Sequence, residues 1–193
     1  MGKRYKRHER MKLMKIVVLT GSPHVQGTTS VLADEFVAGA QEAGHEVVRF
    51  DTAQMQIHPC TGCDHCKKVE ETCIFKDDML QVYPKMKEAE AVVFVSPLYY
   101  FGVTAQLKST IDRFYAINLK LRENPTKAYL LAAGADVDDW AMDGLTAHMK
   151  TMCRYLNWEF KEGVLALGAG VPEDLENTDY PRQARELGLN VAG

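Results

Sequence analysis

The sequence predicts a parallel, doubly wound α/β sandwich, and three observations predict it. The short runs Ile16–Thr20, Ala91–Ser96 and Ala128–Ala133 are continuously apolar, as strands covered on both faces are. Stretches with helical apolar spacing lie between them. Strand and helix alternate five times with no internal repeat, low-complexity segment or linker, which implies right-handed crossovers within one domain.

The elements follow in order. After the first strand, Leu32, Phe36 and Ala40 repeat at four residues, and Gly44 sits where a helix would stop. Glu46–Asp51 supplies the second strand. A long cysteine-bearing loop precedes the expected second helix, which Pro84 should delay or kink. Beyond the Ala91–Ser96 strand, Leu107, Ile111, Phe114 and Tyr115 form an amphipathic stripe. Leu145, Met149, Met152 and Leu156 nearly do the same after Ala128–Ala133. Phe160–Leu167 reads as a fifth strand and Asp179–Leu189 as a final short helix. Ligands of such sheets bind beyond the carboxyl ends of the strands, near the point where strand order reverses. The loops after Thr20, Ser96 and Ala133 and the cysteine loop are therefore the candidate sites.

Composition narrows the function classes. With 193 residues, 46% hydrophobic and 25% charged, the chain can bury the core of one globular domain. Its longest uncharged stretch, Ala91 to Leu107, is 17 residues broken by Ser, Pro, Gly, Thr and Gln, too short for a membrane span. Five cysteines with no secretory leader imply a reducing, cytoplasmic setting rather than a disulfide scaffold. Residues 1–15 carry seven bases and Glu9, which leaves −9 on the remaining 178 residues. We read residues 1–14 as a basic, solvated tail, or as an extension upstream of a start at Met11 or Met14, and 15–193 as a single domain. The acidic body speaks against a nucleic-acid partner.

The loop after the first strand runs Gly21-Ser22-Pro23-His24-Val25-Gln26-Gly27-Thr28-Thr29-Ser30. It is rich in hydroxyls and ends at a helix start, where unpaired N–H groups and the helix dipole favour a phosphate. Thr28 stands where a P-loop has lysine, the P-loop spacing fails, and GxGxxG is absent. A single phosphomonoester held by neutral donors fits; simple helix capping by Thr28 or Thr29 is the alternative. After the third strand, Ser96-Pro97-Leu98-Tyr99-Tyr100-Phe101-Gly102 places three aromatics at the mouth of the sheet. They can stack on a flat ring, or form an interface or core cluster. A phosphate cradle beside an aromatic platform fits FMN better than a nucleoside triphosphate.

The segments GSPHVQGTTSVL and SPLYYFGVTAQLKSTIDRF, in this order and separation, resemble the flavodoxin-like NAD(P)H-dependent FMN reductase family. The resemblance covers roughly Lys15 to Leu167. It implies a five-stranded sheet of order 2-1-3-4-5 and a bound FMN. It assigns the FMN phosphate to Ser22, Gly27, Thr28, Thr29 and Ser30. The flavin ring falls to Pro97, Leu98, Tyr99, Tyr100, Phe101 and Gly102, with Ala133, Gly134 and Ala135 beside it. The family often has arginine where His24 stands, so phosphate binding through this position becomes sensitive to pH. Relatives of this kind are dimers or tetramers, which implies a homodimer or homotetramer here.

The remaining motif is Cys60-x2-Cys63-x2-Cys66-x6-Cys73. Compact runs of this kind hold iron–sulfur clusters, whereas structural zinc sites more often use two separated C-x2-C pairs. Three occupancies stay open: a [4Fe–4S] cluster, zinc with His58 or His65 joining, or no metal, with free thiols or a redox-active disulfide. The spacing also resembles the iron–sulfur flavoprotein branch of the same family, which implies a [4Fe–4S] cluster exchanging single electrons with FMN and a ferredoxin-type carrier. Cys153 lies on the Leu145–Leu156 stripe and reads as core. Asp112-Arg113 reads as a surface pair, with contact to a neighbouring subunit or a flavin loop as the alternative, and Asp136, Asp138 and Asp139 as acids at a helix start.

No Ser–His–Asp or paired-carboxylate arrangement emerges, consistent with chemistry carried by a cofactor. The expectation is an FMN-dependent oxidoreductase taking electrons from NAD(P)H or a ferredoxin-type donor and passing them to a small-molecule acceptor. The alternatives are a cluster-free FMN, quinone or nitroaromatic reductase and a non-catalytic flavodoxin-type carrier.

Overall fold

The computed structural model describes residues 12–69, 73–161 and 163–193. All but the last few residues of the basic tail thus lie outside the described residues. The elements in chain order are β1 (Lys15–Thr20), α1 (Thr28–Glu42), β2 (Glu46–Asp51), α2 (His65–Lys68), α3 (Met79–Glu88), β3 (Ala91–Pro97), α4 (Ala105–Arg113), α5 (Asn118–Glu123), β4 (Lys127–Ala133), α6 (Asp143–Leu156), β5 (Glu159–Phe160), β6 (Val164–Ala166) and α7 (Tyr180–Leu189). Single 3₁₀ turns lie at Thr52–Gln54, Phe114–Ile117, Asp139–Met142 and Pro172–Leu175.

The sheet is parallel with order β2-β1-β3-β4-β5, and β6 also pairs with β4. The order matches the expectation, but the sheet has six strands rather than five. The segment expected as one strand over Phe160–Leu167 is split. Phe160 pairs with Ala128 and Val164 with Leu131, so the edge takes four steps where β4 takes three. That extra residue is the signature of a bulge. Gly163 allows it, because a Cβ there would overlap the Leu130 carbonyl.

Alternation along the strands divides the core. Val17, Leu19, Val92, Phe94 and Leu130 face α3, α4, α5 and α6, while Ile16, Val18, Val93, Val95 and Leu131 face α1 and α7. Every residue of β3 from Ala91 to Ser96 is buried, which is why its sequence is continuously rather than alternately apolar. On the second face α1 and α7 pack backbone to backbone: a Cβ at Gly39 or Gly188 would run into the opposite helix. Helix α3 starts at Met79 and runs through Pro84 to Glu88, so the proline does not end it. Cys153 is buried among Leu145, Met149 and Leu156, as expected, and burial pushes its thiol up to about 12.

Candidate functional site

Two sites lie on this frame. The first is a cleft of about 430 Å³ over the carboxyl ends of β1, β3, β4 and β6. Ser22, His24, Gln26, Gly27, Thr28 and Thr29 form one wall. Pro97, Leu98 and Tyr99 with Ala133, Gly134 and Ala135 form another, and Ala169, Gly170, Val171 and Pro172 close the third. Among the described residues, no lysine, arginine, aspartate or glutamate lines it.

The first wall is shaped from within. The His24 carbonyl accepts from the Gly27 N–H at 3.1 Å, from Ser22 Oγ at 3.2 Å and from Ser30 Oγ at 3.5 Å. Ser22 Oγ also accepts from the His24 N–H at 3.1 Å. Two of the expected phosphate ligands thus brace the loop, and Ser30 does not line the cleft. Gly27 is the N-cap of α1, and no side chain caps that helix. The capping alternative for Thr28 and Thr29 therefore falls: both residues face the cleft at an uncapped helix start. Beneath them Gly21 donates to the Val95 carbonyl, and its own carbonyl accepts from Thr104 Oγ1 at 2.7 Å. A Cβ at Gly21 would lie 2.5 Å from that hydroxyl, so glycine locks β1 to the N-terminus of α4.

The aromatic loop differs from expectation. Tyr99 and Gly102 exchange two backbone hydrogen bonds of 3.0 Å, closing a tight turn with Tyr100 and Phe101 at its tip. Both tip residues have positive φ, 45° and 61°, which costs a bulky side chain roughly 1–2 kcal/mol. Only Pro97, Leu98 and Tyr99 line the cleft; Tyr100 is fully exposed, and Phe101 packs on Trp140 with ring centroids 5.3 Å apart. Sequence reasoning missed the third wall. Its signal was the small-residue run Gly168-Ala169-Gly170-Val171-Pro172 after the last strand, where Asp174 Oδ2 accepts from the Gly170 and Val171 N–H groups.

The second site is the cysteine loop. All five cysteines of the chain are free. Cys60, Cys63, Cys66 and Cys73 all line one small cavity of about 20 Å³, with Phe75, Arg113 and Tyr115 among its other walls. Among the described residues, no three His, Cys, Asp or Glu side chains stand in a geometry that would hold a metal ion. The thiols do sense one another. Burial pushes the Cys66 thiol up, and the neighbouring Cys73, Cys60 and Cys63 push it further.

The base of the loop is tied. Asp77 Oδ2 accepts from the His58 N–H at 2.9 Å, and Asp78 Oδ2 from the Gln56 N–H at 2.7 Å. Arg113 holds both sides at once. Its Nη1 donates to the His58 carbonyl and to Asp77 Oδ2, each at 2.6 Å, and its Nη2 to Asp77 Oδ1 at 3.1 Å. The guanidinium lies 5.2 Å from the centre of the Phe75 ring, which stacks on His58 at 3.9 Å. Arg113 is 1% exposed, so the expectation of a surface pair with Asp112 was wrong. Asp112 turns outward to Lys108, because neighbours on a helix face different sides. Burial works against charge on Asp77, but the Arg113 guanidinium and the His58 N–H outweigh it and hold the carboxyl below its ordinary range.

Strand order 2-1-3-4-5 with a cleft at the β1/β3 switch point defines the flavodoxin-like class. The family model for NADPH-dependent FMN reductase matches residues 14–170, and the chain belongs to that family. It is 38% identical over 182 residues to an iron–sulfur flavoprotein of Archaeoglobus fulgidus, covering 93% of this chain and 79% of that one. Two iron–sulfur flavoproteins of Methanocaldococcus jannaschii are 34% and 39% identical over shorter spans. Those alignments reach 63% and 54% of the relatives' own lengths. Among solved structures, the NAD(P)H:quinone oxidoreductase from Methanothermobacter marburgensis superposes with a TM-score of 0.71 at 17% identity, over 94% of this chain and 98% of that one. An azoreductase from Bacillus anthracis gives 0.65 at 20% identity, over 93% and 99%. These two likenesses are of fold.

Proposed function

We propose that the chain is an FMN-dependent oxidoreductase that couples its flavin to a [4Fe–4S] cluster held by Cys60, Cys63, Cys66 and Cys73. The observation that carries the reading is the convergence of all four cysteines on one cavity at the far end of α4, the helix whose N-terminus underlies the cleft. Thr104 caps α4 and Arg113 ends it. Nine residues at about 1.5 Å each separate the two ends by roughly 14 Å.

The cleft fits FMN. An uncapped helix start with two threonine hydroxyls offers neutral donors to a phosphate, and Pro97, Leu98, Tyr99, Ala133, Gly134 and Ala135 offer an apolar wall to a flat ring. In this reading Thr28, Thr29 and the Gly27 end of the loop hold the phosphate, with His24 at its rim. Ser22 and Ser30 keep the loop in shape. The four thiols fit the donor set of a cubane, although a cavity of about 20 Å³ holds one water, so the exposed Cys60–Cys63 side must part from the Cys66–Cys73 side on loading. When bound, FMN supplies hydride and electron transfer, and the cluster supplies single-electron steps. The protein positions both, excludes charge from the cleft, and leaves one ring face open to a nicotinamide donor and a small-molecule acceptor.

The family's name supports NADPH as donor, and the cysteine site supports a ferredoxin-type carrier. Exposed Tyr100, Val137 and Trp140 on the loops around the cleft support assembly with a second copy. The test is anaerobic purification with absorption spectrum, FMN, iron and sulfide analysis, then separate mixing with NADPH, NADH and reduced ferredoxin. Flavin with about four irons and four sulfides per chain is expected. Protein that binds no FMN at micromolar concentration overturns the flavoprotein reading, and iron-free protein overturns the cluster.

A further inference from the structure

Arg113 carries more than a brace requires. Three of its hydrogen bonds tie the loop base, yet its Nε is buried without a hydrogen-bond partner. Among the described residues the only other such side-chain atom is His45 Nε2, on the far side of the molecule from the cysteines in the β1–β2 connection. A buried N–H left unpaired is costly, and a guanidinium held in place on two sides cannot turn to relieve it. Arg113 also shares the wall of the cavity that the four cysteines line.

We propose that Arg113 is a positioning residue for the group the cysteines hold, its Nε–H donating to a cluster or cysteine sulfur and thereby raising the cluster's reduction potential. The inference rests on the cluster reading above. Its physical content is that reduction adds negative charge to the sulfurs, and an N–H donor beside them favours the reduced state. Asp77 fixes the fork through Nη1 and Nη2, which leaves Nε as the free donor of a guanidinium that lines the cysteine cavity. The Phe75 ring packs against the same guanidinium, its centre 5.2 Å away.

The experiment compares wild type, Arg113→Lys and Arg113→Gln by iron and sulfide content, thermal midpoint and potentiometric titration of the loaded cluster. Lysine keeps the charge but lacks Nε, so the potential is expected to fall; glutamine loses the charge as well, so it should fall further. A purely structural arginine would lower the thermal midpoint or the iron content and leave the potential of loaded protein where it was. That result overturns the proposal. Because either variant can fail to fold, wild type grown with ¹⁵N-arginine provides a second reading. Pulsed EPR of the reduced cluster is expected to show a ¹⁵N coupling and an exchangeable proton, and their absence overturns the assignment without any variant. Wild type that holds no iron and sulfide overturns the cluster reading and this inference together. Iron-loaded Arg113→Lys at the wild-type potential overturns the role of Arg113 alone.

Discussion

The cleft and the cysteine cavity sit at opposite ends of one helix and are built by opposite means. The cleft is made by regular structure. Its walls are the ends of strands and the start of α1, its polar groups are backbone amides and hydroxyls with His24 and Gln26, and among the described residues no lysine, arginine or carboxylate enters. The cysteine cavity is made by a long connection carrying only the short helix α2, set against the end of α4 and tied at its base by a buried ion pair. A phosphate can be met by dipoles that the fold provides anyway. Four thiols, by contrast, repel one another once ionised, and bringing them together needs anchoring from outside the loop. The strand order gathers the loops of the first site, and side-chain contacts 36 and 55 residues apart in the chain hold the second.

The largest effect should come from removing one thiol. Cys63→Ala is expected to abolish stoichiometric iron and the broad absorption near 400 nm while leaving the FMN dissociation constant within about twofold, since no cysteine lines the cleft. Iron analysis and a fluorescence titration check both halves. Loss of FMN in the same variant would mean the two sites are one.

Next comes Asp77→Asn, which leaves the Arg113 charge buried without its counter-ion. Breaking such a pair costs roughly 3 kcal/mol, read by urea unfolding at pH 7. The acid limb shows its sign. The folded Asp77 carboxyl titrates below its unfolded value of about 3.9. The contribution is therefore complete above about pH 4 and lost as pH falls through the folded value. The gap between wild type and variant should close on acidification below pH 4 and stay constant between pH 5 and 7.

Gly21→Ala tests the rigidity of the cleft. Its new methyl would sit 2.5 Å from Thr104 Oγ1 and 2.6 Å from Leu107 Cβ, so β1 and α4 must part. Overpacking of this sort costs about 1–3 kcal/mol, and FMN affinity is expected to drop with stability, while anaerobic iron loading is retained.

Much of this was legible from residue order. β1, β3 and β4 extend the expected runs Ile16–Thr20, Ala91–Ser96 and Ala128–Ala133 by one residue each, because burial on both faces writes itself into consecutive side chains. The split at β5 and β6 was hidden, because a bulge depends on what Gly163 meets across the sheet. Arg113 was misread for a similar reason. A charge at the end of an amphipathic stripe looks exposed until Asp77, in a loop far back in the chain, is seen to close over it.

The smallest effect concerns the aromatic run, where spacing could identify three rings at the mouth of the sheet but not the turn that separates them. Tyr100 lies outside the cleft, fully exposed, at φ 45°. Tyr100→Gly should therefore relieve the left-handed backbone cost and raise the thermal midpoint slightly, by the equivalent of about 1 kcal/mol less the entropy that glycine restores to the unfolded chain. FMN affinity should not change. If affinity instead falls tenfold, about 1.4 kcal/mol, then Tyr100 closes on the ring after binding. The cleft would then share with the cysteine loop the need to rearrange around its occupant, and the contrast between a prebuilt and an assembled site would narrow to the phosphate end alone.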